Sequence, residues 1–111
     1  MSTTEDKTAP PQHLGNLPGG DLVEKGLRDL HNGHVTVEAC LVALASRRMR
    51  ELGLSLPAQA ELPDEPEIRL YRLLEAENEA TAYSRYNSLK RRLVSFTHAM
   101  EQQAVTSLKH G

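Results

Sequence analysis

The sequence predicts an all-α fold: a short helical hairpin followed by one long C-terminal helix, in a bundle completed by dimerisation. Three observations lead there. Aromatic residues make up only 4% of the 111 residues, with no Trp and one Phe, so the core must be built from Leu, Val and Ala, which suits packed helices better than a sheet. No Pro or Gly occurs between Glu67 and Val105, a span long enough for about ten helical turns. Within that span Ala82, Tyr86, Leu89, Leu93, Phe96 and Met100 alternate spacings of four and three, the rhythm of a short coiled-coil seam.

Residues 1–20 are rich in Thr, Pro and Gly, end in "LPGG", and hold too little apolar surface to offset the entropy of ordering them. They are expected to form a flexible tail, leaving residues 21–108 as a single helical domain. Asp21, with Glu24 three residues on, reads as an acidic capping box that opens a helix over about 21–32. Val23, Leu27 and Leu30 fall on one face of it, and Gly33 is a natural stop. Gly26, inside the helix, weakens it by roughly 1 kcal/mol relative to Ala, so its stability must come from packing.

Thr36 is placed to cap a second helix over about 36–52. Its first half, "VEACLVALA", is apolar on nearly every side and should be the most buried segment of the chain. Gly53 suits the left-handed position after a helix, with Leu54 ready to fold back on Met49. "LSLPAQAELP" has too many prolines and too little period for a further element.

Asp64 and Glu67 read as a capping pair for a third helix, with Pro66 in the first turn, where its missing N–H does no harm. Continued over about 65–105, that helix is ~60 Å long and cannot be covered by the hairpin. Its far half is therefore expected to pair with a second copy through Tyr86, Leu89, Leu93, Phe96 and Met100. Leu70, Leu73 and Leu74 point to roughly the opposite side from that seam. Either the helix breaks near "EAENEATA" or its halves face different partners; the absence of a breaker favours a continuous helix.

Thirteen basic and fifteen acidic residues give a formal charge of −2, so there is no overall positive field to attract phosphates. Nucleic-acid binding would need a local patch. "AYSRYNSLKRRLVSF" mixes basic and aromatic residues, but Lys90, Arg91 and Arg92 diverge by about 100° each and form no single track. The remaining candidate is the cluster Arg47, Arg48 and Arg50.

Arg48 shares a face with Val37, Leu41, Leu44 and Leu52, and an inward charge needs a partner. Glu75 and Glu79, inward on the continued third helix, have the opposite sign, and a buried Arg48 to Glu75/Glu79 pairing is expected to set helix register. Glu75, Glu77 and Glu79 lack the Glu-x-x-His pairs of a di-iron bundle. His31, His34, Cys40 and His98 include nitrogen and sulfur ligands, but their spacing matches no standard zinc finger, so neither metal nor other cofactor is expected. Cys40 lies in the most apolar stretch, where a thiol is inert.

Arg92 and His98 are similar in spacing to the Arg-x4–6-His element of the HEPN class of helical ribonucleases, which would imply RNA cleavage. The likeness covers seven residues; Leu93 stands where that class has a polar residue, and the two side chains point about 120° apart, so membership is not claimed. There is no phosphate-binding glycine loop and no nucleophile triad.

The single cysteine excludes an intrachain disulfide, the first residues lack the pattern of an export signal, and Arg47 and Arg48 interrupt the longest apolar run; a cytoplasmic protein that does not enter a membrane is expected. The functional expectation is a non-enzymatic protein–protein interaction or scaffold module acting as a homodimer on an unknown protein partner. A nucleic-acid-associated regulator is second and a small ribonuclease third.

Overall fold

A computed structural model describes the backbone of residues 14–110 and side chains as far as residue 103. Five α-helices follow in order: α1 (Gly20–His31), α2 (Val37–Leu44), α3 (Ser46–Glu51), α4 (Pro66–Glu77) and α5 (Ala82–His110). Single 3₁₀ turns, Gln59–Glu61 and Glu79–Thr81, precede α4 and α5. There is no strand among the described residues, so the fold is all-α as expected.

The helices pack in series, α1 on α2, α2 on α4 and α4 on α5. That order places α2 at the centre, where Ala39, Cys40, Leu41 and Val42 are fully buried. An apolar surface on all sides is what a central helix requires.

The cap residues account for the hairpin. Thr36 caps α2, its Oγ1 accepting from Ala39 N–H at 3.1 Å. After α1, Gly33 adopts φ 76° while its N–H donates to Leu30 O and that of His34 to Asp29 O. After α3, Gly53 adopts φ 91°, its N–H donating to Arg50 O and that of Leu54 to Met49 O. Both are Schellman closures, in which a left-handed residue lets the last carbonyls find donors.

The expected second helix over 36–52 is two helices. Ala45 leaves helical geometry, with φ −107° and ψ 25°, and the bend keeps Met49 in the core while Arg47 and Arg50 face outward.

Two of the expected caps do not form. α1 starts one residue earlier, after Gly19 in the left-handed region, and Glu24 instead takes the N–H of Leu14 at 3.3 Å. Before α4 it is Glu65, at φ 46°, that precedes the helix without a side-chain cap, although Pro66 does occupy the first turn.

The expected tail is also shorter at its inner end. Leu14 is in the core and the turn from Leu14 to Gly20 packs on α5, so a Cβ on Gly19 would stand 2.6 Å from Arg92 O. The expectation for residues 1–13 lies outside the described residues.

The main correction concerns the long helix, which ends at Glu77. Asn78 is extended (φ −166°, ψ 104°) and its Oδ1 accepts from Ala80 N–H at 3.0 Å. Asn competes for local backbone groups in this way and so terminates helices that propensity alone would continue. The turn resolves the opposed apolar stripes. Leu70 and Leu74 of α4 and Ala82, Leu89, Leu93, Phe96 and Met100 of α5 are all buried in one core. The expected interface seam is therefore internal: Phe96 is 0% exposed within a single chain, and Tyr86 is half-buried against α4. Once the helix folds back, it no longer needs a second chain to cover that line.

Candidate functional site: a tyrosine-lined groove between α4 and α5

Folding back at Asn78 sets the outer faces of α4 and α5 side by side, with a cleft of about 570 Å³ between them. All three tyrosines of the chain, Tyr71, Tyr83 and Tyr86, line it together with Ile68. Tyr71 and Tyr86 meet edge to face, their centroids 5.6 Å apart and their planes at 81°. That arrangement sets the positive edge of one ring on the negative face of the other and fixes both. Ile68 is 49% and Tyr83 67% exposed.

The rim is charged. The Tyr86 hydroxyl donates to Glu67, and this bond, aided by burial, pushes the phenol pKa upward because ionisation would place two anions together. Lys90 Nζ donates to the Tyr86 hydroxyl at 3.3 Å, 5.0 Å from the ring centroid, and stands 3.8 Å from Glu67. Arg72 and Glu75 complete the lining. Arg85 turns away to pair with Glu77.

Past the groove the exposed side of α5 continues through Asn87, Lys90, Arg91, Val94 and Ser95, which border a shallow depression of about 450 Å³. Val94 is 60% exposed. Tyr83, Asn87, Lys90 and Val94 lie within about 60° of one another around the helix, roughly 110° from the buried seam.

The other candidates are engaged elsewhere. Arg48 pairs with Glu51 at 3.0 Å and with Glu101 of α5. The expected buried pairing with Glu75 and Glu79 is not formed, because the extended Asn78 takes Glu75, on α4, off the line of the α5 seam, and both glutamates are exposed. Arg50 is bonded to Pro57 O and Gln59, while Arg47, its side chain 94% exposed, reaches Glu51 at 3.9 Å. Each of the three arginines thus has an oxygen partner within the chain, Arg47 the most distant.

His31 Nε2 is 2.9 Å from Ser55 O, whereas Cys40 is sealed in the core, where burial raises its thiol pKa. Among the described residues no group of three or more His, Cys, Asp or Glu side chains is placed to hold a metal. Arg92 binds Asp21 at 3.2 Å while His98 is exposed, and Leu93 between them is buried, so the ribonuclease-like spacing brings no pair together.

A continuous helix over 65–105, the expectation from propensity, contains no such groove. The signal was present in the opposed stripes on either side of "EAENEATA", which a single straight helix in a single core cannot bury. No protein-family model, curated protein or solved structure matches the chain. The class is defined by the fold alone, a small all-α protein with an aromatic surface groove. No helix among the described residues is long and apolar enough to cross a membrane.

Proposed function

We propose that this is a non-enzymatic protein–protein interaction module whose working surface is the α4/α5 groove. The observation behind the reading is the gathering of every tyrosine of the chain, with exposed Ile68, into one concave surface. Tyrosines suit this role because they offer large contact area at low conformational cost and a hydroxyl at the wet end. The rigid Tyr71–Tyr86 pair supplies a pre-formed floor, and preorganisation lowers the entropic cost of association.

Surface substitutions test the reading. Ile68→Glu and Tyr83→Glu, singly, change exposed side chains and should leave helix content and thermal stability near the parent values. Each should abolish retention of partner proteins on the immobilised chain. If the two variants retain the same proteins as the parent, the groove is not the working surface. Nucleic-acid binding that falls steeply with salt and is lost in Arg47→Glu would transfer the function to the arginine cluster instead.

A further inference from the structure

We infer that the partner entering the α4/α5 groove presents a basic segment, with an arginine side chain seated among the three tyrosines against the carboxylate of Glu75. The inference rests on the interaction reading above and names the chemistry of the partner.

The register of the two helices gathers the site. α4 and α5 run antiparallel, with Tyr71 beside Tyr86 and Glu67 near Lys90. Glu75, one turn beyond Tyr71 on α4, therefore comes level with the first turn of α5, which carries Tyr83. Tyr71, Glu75, Tyr83 and Tyr86 all line the cleft and share its end nearest Asn78.

Negative charge is in excess at this end. At the other end Glu67 is occupied, accepting from the Tyr86 hydroxyl with Lys90 Nζ 3.8 Å away. Beside Asn78, Glu75, Glu77 and Glu79 are all exposed, and Glu77 pairs with Arg85. Among the described residues the carboxylates of Glu75 and Glu79 have no hydrogen-bond or ion-pair partner. Arg72 is unpaired as well, but it lies about 180° around α4 from the buried Leu70 and Leu74, at the outer rim of the cleft. Glu75 is turned about 60° from Arg72 toward the side of Tyr71. Even with Arg72 and Arg85 counted, the carboxylates outnumber the cations.

A guanidinium suits such a place. It is planar and weakly hydrated, stacks on aromatic rings and meets a carboxylate with paired donors. An acidic segment would be repelled by Glu75, and an apolar one would cover that carboxylate without pairing it.

The probe is a capped pentapeptide of alternating arginine and glycine, titrated into the full chain and followed through the tyrosine ring resonances. Three tyrosines and one phenylalanine make that spectrum assignable. Saturable shifts of Tyr83, Tyr71 and Tyr86 are expected, with the buried Phe96 ring unmoved. The same peptide with citrulline for arginine, which keeps the shape and loses the charge, should bind about tenfold more weakly. Glu75→Gln, at an exposed site, should keep the helical circular dichroism and weaken the arginine peptide about threefold or more.

Absence of ring shifts up to about 10 mM peptide, a range that detects even millimolar binding, overturns the inference. Equal binding of the citrulline peptide, or binding unchanged in Glu75→Gln, overturns it equally. Should the peptide fail while partner proteins are still lost on Tyr83→Glu, the groove works on a partner of another chemistry. Partner proteins retained by Tyr83→Glu would instead bring down the interaction reading itself.

Discussion

Thr36 Oγ1 donates a 2.7 Å hydrogen bond to Asp29 Oδ2, and this one bond joins the end of α1 to the start of α2. Thr36 also caps α2 through the same hydroxyl, which accepts from Ala39 N–H, so donor and acceptor capacities are both used. Lys25 reaches Asp29 Oδ2 at 2.7 Å from the other side and Glu38 at 3.4 Å. Burial opposes the charge on Asp29, but the bonds from Lys25 and Thr36 outweigh it and hold the carboxyl below its ordinary range.

Because the folded pKa is depressed, the Asp29 contribution to stability is present above the unfolded carboxylate pKa and is lost as pH falls through the folded value. Asp29→Asn should therefore lower stability by about 1–2 kcal/mol at neutral pH, the typical worth of hydrogen bonds to a charged group. The difference in urea unfolding between the two proteins should shrink as pH falls through the depressed folded pKa of Asp29. A difference that does not shrink on acidification would show that charge has no part in the effect.

Gly26→Ala should destabilise the protein although Ala is the better helix former. A Cβ at that position would stand 2.5 Å from both Glu38 O and Val42 Cγ2 of α2. Forcing the helices apart costs about 1–3 kcal/mol, more than the ~1 kcal/mol that removing glycine returns. A net loss of about 1 kcal/mol or more in chemical denaturation is expected, and a gain would mean that the helices separate easily.

Leu93→Glu should unfold the chain rather than dissociate an oligomer, since Leu93 is buried within one copy beside Phe96. Phe96→Ala should cost about 3–5 kcal/mol, the range for removing a large aromatic from a packed core. Circular dichroism and light scattering on the same samples separate the two outcomes. Folded Leu93→Glu monomers would return the seam to an interface between chains.

Asn78→Ala removes the acceptor for Ala80 N–H at the turn between α4 and α5. The expected loss is about 1 kcal/mol, as for other caps. Amide exchange should show faster opening over Glu79–Thr81 than over the core of α2.

The Tyr86 phenol, raised by its bond to Glu67, should ionise above the ordinary tyrosine range. Since the folded pKa is raised, its contribution is fully present below the unfolded pKa and disappears as pH rises through the folded one. Glu67→Gln should lower the Tyr86 midpoint in an ultraviolet titration with Tyr71 and Tyr83 replaced by Phe. An unchanged midpoint would show that the hydroxyl does not donate to Glu67 in solution.

Local physics determined a large part of this protein in advance. The scarcity of aromatics and the 3.6-residue apolar rhythm settled the helical class. The Thr36 cap and the Gly33 and Gly53 closures depend on residues within a turn or two, so they were legible in sequence. So was the buried character of α2, because a segment apolar on every side has only the core to occupy. Three things were decided by the tertiary structure. Ala45 and Asn78 bend the chain because Met49, Leu74 and Phe96 must reach one common core, and no local breaker marks either bend strongly enough to overcome good helix propensity. Arg48 meets Glu101, distant in sequence, only because α5 returns past α3. The groove exists because folding at Asn78 lays two outer faces together, a relation between segments that neither segment contains alone.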